Sequence, residues 1–337
     1  ILFPVPETFS ASLKLLPKNA EDFYPDPNGQ NAILKKTNSQ GWYLTLLNLT
    51  ANQEEVLLQE KDFAKKTKAD WLDWRWSPDG QKAIVSLGLA EKEVFSMIDL
   101  GQRPARISSL DYLSLNQSFL FDPENSSRIF WLKENNLWQA NLNNKTSSRV
   151  LSNVLSFTLS NQKVAYLDEK GFLYQADAAN WPAIKPLNSK VLEVSVETGY
   201  RISLLRNQIY LGDGQVLWRW NPGNDNLEIL RNNTQNWQIS PDGQSLADSN
   251  NGEIWLFSLK DSLEQPPKKA GDKALLVRFS EKIDQLFWWD SHHLIFVLGS
   301  NIKIIETDER DRPNITNLVS LESPILFLNE NDQKNIF

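Results

Sequence analysis

Short apolar runs alternate with polar turns along almost the whole chain, and helical periodicity is scarce. The runs are rich in branched and aromatic residues and are bounded by Asn, Asp, Gly and Pro, the pattern of strands joined by tight turns. One phrase punctuates the pattern twice, as Ser77-Pro78-Asp79-Gly80-Gln81 and as Ser240-Pro241-Asp242-Gly243-Gln244. An aromatic-apolar strand precedes each copy (Trp74-Arg75-Trp76 and Trp237-Gln238-Ile239), and an Ala-containing apolar strand follows (Ala83-Ile84-Val85 and Leu246-Ala247). The copies stand 163 residues apart, Pro78 to Pro241, or about four units of roughly 41, within the range of propeller blades.

Aligning the strand after each turn gives eight candidates: Ile33, Ile84, Ile129, Val164, Ile209, Leu246, Leu294 and Ile336. Their mean spacing of about 43 residues suits four-stranded blades. The turns before them are degenerate copies of the clear ones, such as Asp26-Pro27-Asn28-Gly29-Gln30, Asp122-Pro123-Glu124-Asn125 and Asp290-Ser291-His292-His293. Weaker signals stand at Ser160-Asn161-Gln162, Arg206-Asn207-Gln208 and Asn329-Glu330-Asn331-Asp332. Pro presets φ at the second turn position, Asp accepts local backbone hydrogen bonds, and Gly tolerates the exit conformation. Asp79 and Asp242 therefore read as turn formers rather than catalytic acids. A second element recurs after each strand: Asn136-Leu137-Trp138, Phe172-Leu173-Tyr174, Val216-Leu217-Trp218, Glu253-Ile254-Trp255 and, without the aromatic, Ile302-Lys303-Ile304. It predicts the third strand of a blade.

The expected fold is all-β: one β-propeller domain over residues 1–337, built of four-stranded antiparallel blades. Eight blades are favoured, with seven as the alternative if Val191 to Leu211 is misphased. The C-terminus offers two strands of an eighth unit, Pro324 to Leu328 and Asn335 to Phe337. The N-terminal run Ala11 to Leu16 could complete that unit, so that the two ends share the last blade and close the ring. Glu60 to Asp70 could form a helical turn, and Lys260 to Asp272 reads as a loop.

Composition narrows function mostly by exclusion. A net charge of −7 over 337 residues lacks the basic face of a general nucleic-acid binder. No run approaches the roughly 18 apolar residues that span a bilayer. The chain starts at Ile1 rather than Met and reads as an excised domain, so any membrane contact would run through a segment outside it. Cysteine is absent, which excludes disulfides and thiolate metal sites. The 13 Trp suit packing between stacked sheets, with a ligand-binding aromatic cleft as the rival use.

The clear Ser-Pro-Asp-Gly copies, each leading into an apolar strand and then an aromatic one, resemble the WD40-like PD40 repeat. That repeat builds the propellers of the TolB family and of prolyl-oligopeptidase-like peptidases. The run that includes Ile302-Lys303-Ile304-Ile305-Glu306 and Asn314-Ile315-Thr316 is similar to bacterial propellers that accompany PEGA domains. The resemblance implies a protein-interaction platform outside the cytoplasm. Two departures limit it: neither the α/β domain of TolB-like proteins nor the hydrolase domain of the peptidases fits within this chain.

A search for chemistry returns little. There is no Gly-x-Ser-x-Gly elbow and no phosphate-cradling glycine motif. The two histidines, His292 and His293, are neighbours, so in extended chain they face opposite sides and cannot easily share a metal. Asp70 with Asp73, and Asp308 with Asp311, could bind calcium, but no spaced Asp-x-Asp-x-Asp-Gly loop supports this. Asn48-Leu49-Thr50 and Asn144-Lys145-Thr146 match glycosylation sequons, as chance predicts in an Asn-rich chain. We expect no catalytic, metal or cofactor residues. The expectation is a monomeric, non-catalytic platform for protein partners, extracytoplasmic in a bacterium and membrane-tethered only through another segment. The alternative is a carbohydrate- or small-ligand-binding propeller, or a lyase-like enzyme, using the mouth of the central channel; it predicts several exposed Trp.

Overall fold

A computed structural model describes residues 20–324 except 64–68, 90–91, 103–104, 114, 116–118, 161–162, 178–181, 184, 206–207, 235, 264–266, 309–312 and 323. It is an all-β propeller of seven blades, each a sheet of sequential antiparallel strands. Blades 1 to 3 comprise Ala20–Pro25, Asn31–Asn38, Gly41–Asn48 and Gln53–Gln59; Ala69–Trp76, Lys82–Leu89, Lys92–Asp99 and Arg106–Ser109; and Leu120–Asp122, Asn125–Lys133, Asn136–Asn141 and Thr146–Ser152. Blade 4 shows three strands, Val154–Ser160, Lys163–Asp168 and Leu173–Asp177. Blades 5 to 7 comprise Arg201–Leu205, Gln208–Gly212, Val216–Asn221 and Asn226–Asn232; Asn236–Ile239, Ser245–Asn250, Glu253–Ser258 and Lys273–Arg278; and Ile283–Trp288, His293–Leu298, Asn301–Glu306 and Ile315–Ser320. By internal contacts the chain divides into two compact units, Leu16–Thr198 with blades 1 to 4 and Gly199–Phe337 with blades 5 to 7.

The favoured count of eight blades is thus corrected to seven. Each of the first seven aligned residues, Ile33 to Leu294, lies in the second strand of its own sheet and is at most 1% exposed. The last sheet takes all four strands from Ile283–Ser320, so it borrows none from elsewhere. The surplus strand suspected after Val191 is not one: residues 191–200 form no strand, and Val191 and Val196 are exposed. The surplus unit is therefore the eighth, counted from Ile336. Ile336, the N-terminal run, the final two candidate strands and the turn at Asn329 to Asp332 lie outside the described residues. The helical turn is present at Glu60–Phe63. The described part of Lys260 to Asp272 is a loop, pinched by paired backbone hydrogen bonds between Ser262 and Lys268.

The second strands are buried on both faces, as blades stacked on two sides require. Blade 7 shows this most fully, since all six residues of His293–Leu298 are buried. Register corrects one detail. The closing hydrogen bonds Asp26 N to Asn31 O, Ser77 N to Lys82 O, Ser240 N to Ser245 O and Trp289 N to His293 O mark equivalent positions. The equivalent next residues are therefore Ala32, Ala83, Leu246 and Leu294, not Ile33 and Ile84. A slip of one residue turns a side chain to the opposite face. Ala83 and Val85 accordingly pack against blade 1, whereas Ile84 packs against Ile129 and Trp131 of blade 3.

Two devices recur between and along the sheets. An indole closing a first strand donates to a carbonyl of the preceding blade's first strand: Trp76 Nε1 to Tyr24 O and Trp288 Nε1 to Gln238 O, both 3.1 Å. The outer strands of blades 1, 3, 5, 6 and 7 each carry a β-bulge at the same place, opposite Leu44/Thr45, Leu137/Trp138, Leu217/Trp218, Ile254/Trp255 and Ile302/Lys303. The inserted residue is apolar every time (Leu57, Val150, Leu230, Leu276 and Leu318) and is turned at least partly inward.

Candidate functional site

The two Ser-Pro-Asp-Gly copies fold alike. Ser77 Oγ donates to Asp79 Oδ1 (2.6 Å), which also accepts the Gln81 N–H (3.0 Å), while Lys82 N–H donates back to Ser77 Oγ (2.9 Å). Ser240, Asp242, Gln244 and Ser245 repeat these bonds at 2.6, 3.0 and 2.9 Å. Gly80 and Gly243 both sit at φ +67°, where a side chain is strained. In blade 1, Asp26 replaces the serine and binds the Gln30 N–H directly (2.9 Å). The aspartates are turn formers, as their spacing implies. Asp79→Ala should cost about 1 kcal/mol of stability, and Asp79→Asn clearly less, since its side-chain oxygen can still accept. Paired urea melts would check this; equal losses in the two variants would contradict it.

The turns of blades 2 and 3 enclose a polar groove of about 460 Å³. Pro78 and Pro123 stand in its two turns, with Asp79, Lys82, Glu124, Asn125, Ser126 and Ser127 completing the lining. The first strand of each blade delivers its turn here, and the prolines stiffen both. Lys82 Nζ donates to Ser127 Oγ (3.2 Å) and to Asn143 Oδ1 (3.5 Å), which ties the two blades together with neutral partners. Burial alone would raise the Asp79 carboxyl. The Ser77 hydroxyl, the Gln81 N–H, the Ser126 side chain and the Lys82 charge outweigh it and hold the group below the usual carboxylate range. Asp79 thus stays ionised at neutral pH. The lining offers hydrogen-bond donors and acceptors on a fixed frame, with the Asp79 carboxyl beside Ser126 and Lys82 beside Ser127. Such a groove can bind a polar group presented to it.

The other candidates fall elsewhere. His293 is buried at 3% exposure, and its Nδ1 lies 2.9 Å from both Asp290 oxygens. Burial alone would raise Asp290. The His293 ring and the His292 N–H outweigh it and hold the carboxyl below its usual range. An ionised carboxylate only accepts, so Nδ1 carries the proton. His293 therefore fastens its turn rather than merely occupying it. Asp311 and the side chain of Asp70 lie outside the described residues, and no group of three metal-ligating side chains occurs among the described ones. Trp42, Trp74, Trp131, Trp218, Trp237, Trp288 and Trp289 are buried, and Trp76, Trp138, Trp220 and Trp255 half-buried; no described Trp side chain is exposed. The described Trp side chains thus serve core packing. Sequence reasoning missed the groove because it joins two turns 45 residues apart, Pro78 and Pro123. Its one signal was the shared Pro in those turns.

No family model matches the chain, and no curated protein matches it. Solved structures do. A eukaryotic initiation factor structure aligns at TM-score 0.53 and 12% identity, over 93% of this chain and 91% of its own. The Kluyveromyces lactis protein Hsv2p aligns at TM-score 0.52 and 12% identity, over 91% and 100%. A prolyl endopeptidase aligns at TM-score 0.55 and 14% identity over 94% of this chain, which spans about half (52%) of that enzyme. At such identities the likeness concerns fold alone, and that fold is a β-propeller.

Proposed function

We propose that this chain is a non-catalytic scaffold that holds a protein partner against the turns of blades 2 and 3. The observation that carries this reading is the groove between Pro78 and Pro123: preorganised, polar and bridged by Lys82. Recognition residues commonly sit on turns held by a rigid frame. The absence of cysteine and the PD40-like phrases favour a bacterial, extracytoplasmic setting, with any tether lying in a segment outside this sequence.

Site-specific photocrosslinking in the native host tests it. A crosslinker at Asn125 should capture one protein species, Lys82→Glu should abolish that product, and a crosslinker at Glu55 on an outer strand should not give it. Capture that is indifferent to Lys82→Glu, or equal from both positions, would overturn the assignment.

A further inference from the structure

The second strand of blade 6, Ser245–Asn250, breaks the pattern of its counterparts. Asp248 sits where blades 2, 3, 4 and 7 place Val85, Trp131, Tyr166 and Phe296 against the preceding blade. It is fully buried. Its neighbours come from both blades. Arg231, on the outer strand of blade 5, brings Nε against Asp248 Oδ2, and Thr234, on the connector between the blades, donates its hydroxyl to Oδ1. Neither Arg231 Nε nor Asp248 Oδ2 has an aligned hydrogen bond, so the two touch as charges without the directed bond that makes a buried pair strong.

Arg231 also has a second carboxylate in reach. Its Nη2 lies 3.9 Å from Glu253 Oε2, and its guanidinium is roofed by the Trp255 ring at 4.6 Å. Glu253 is itself fixed by the Trp255 indole N–H (2.6 Å) and by Arg278 Nε (2.9 Å). Other ionisable groups around the joint include Arg201, which lies over the Trp237 ring at 4.9 Å, and Tyr210, whose phenol burial pushes up to about 12 against the nearby Arg219 charge.

We propose that Arg231 is a proton-controlled latch between blades 5 and 6: it grips Asp248 while that carboxylate is ionised and moves to Glu253 once Asp248 takes a proton from solvent. The proton goes to Oδ2, the oxygen Arg231 leaves, while Thr234 keeps its bond to Oδ1. No other bond changes. Burial pushes Asp248 up to about 6, against the Thr234 hydroxyl and the Arg231 charge. The Trp255 N–H holds Glu253 below its usual range against partial burial, with Arg278 and Arg231 adding to the effect. Glu253 thus stays ionised at the pH where Asp248 becomes neutral. The sign follows from linkage. Asp248 binds its proton more tightly folded than unfolded, so acidification from about pH 6 toward pH 4 strengthens the joint, and the cost of the buried charge is present in full above about pH 6.

The test is a carbon-detected titration of the Asp248 carboxyl and the Arg231 side chain in the whole chain, beside Asp248→Asn and Glu253→Gln. In the unaltered chain both signals should shift with one midpoint near 6. Asp248→Asn should remove the Arg231 shift. Glu253→Gln should preserve the Asp248 titration and remove most of the Arg231 shift, and it decides the matter if Asp248→Asn does not fold. An Asp248 midpoint below about 4.5, near the ordinary carboxylate range, would overturn the latch. So would an Arg231 shift that survives Glu253→Gln intact.

Discussion

Asn188→Ala should destabilise this protein more than any other single polar substitution described here, by about 2–4 kcal/mol, because it orphans the buried Leu173 N–H and removes the two bonds that the asparagine donates. Blade 4 shows three strands, and the edge of its third is finished by an irregular segment. Leu187 N–H donates to Leu173 O (2.7 Å) and Leu192 N–H to Gly171 O (3.1 Å). Asn188 locks this arrangement. Its Oδ1 accepts the Leu173 N–H (2.7 Å), and its Nδ2 donates to Gly171 O (3.0 Å) and Lys190 O (2.8 Å). The side chain is 1% exposed, so water cannot replace it cheaply. Each orphaned group costs about 1–3 kcal/mol, against a typical total stability of about 5–15 kcal/mol. Asn188→Asp keeps the acceptor and loses the donor, and it should fall between Ala and the unaltered chain. Urea midpoints and amide exchange at Leu173 would measure both. An Ala variant within about 0.5 kcal/mol of the parent would show that the segment docks without its asparagine.

Trp131→Ala should cost a similar amount, about 3–5 kcal/mol, through a cavity rather than orphaned polar atoms. Trp131 is 2% exposed, sits among Ile84, Phe95, Phe119 and Ile129 between blades 2 and 3, and stacks on Trp138 at 6.3 Å and 20°. Its indole N–H has no hydrogen-bond partner. Trp131→Phe therefore keeps most of the packing and deletes an unsatisfied donor, and its cost should stay below about 1.5 kcal/mol. Thermal melts of the two variants should separate clearly. Equal losses would mean that the indole edge, not the ring's bulk, holds this interface.

Much of the architecture was legible because each blade repeats one local solution. A stiff turn delivers a doubly buried strand, then a third strand with an apolar residue and usually an aromatic. Leu137, Leu173, Leu217, Ile254 and Ile302 all fell where the pattern put them. Blade number was not legible, since apolar runs near the two chain ends, such as Ala11 to Leu16 and Pro324 to Leu328, spell an eighth unit, and spacing cannot tell which runs share a sheet. The one-residue register slip at Ile33 and Ile84 arose because Ala32 and Ala83, small but fully buried, look like flanking residues in a pattern weighted by side-chain size. Asp248 was overlooked for a related reason. A polar residue in an apolar strand looks like the strand's end until its arginine arrives from 17 residues earlier, on a different sheet. The groove likewise depends on which turns become neighbours, and that is set by blade stacking rather than by spacing within any one repeat.

The bulged outer strands govern how copies of this chain can meet. A straight strand with open N–H and C=O groups invites a neighbour to zip on, whereas an inserted residue twists that surface out of line. Leu57, Val150, Leu230, Leu276 and Leu318 supply that insertion in five blades, so lateral β-pairing between molecules is disfavoured at the places most open to it. Removing one of them, for example Leu230, would straighten an edge that carries the exposed Ile229. Light scattering should then grow more steeply with concentration than it does for the unaltered chain.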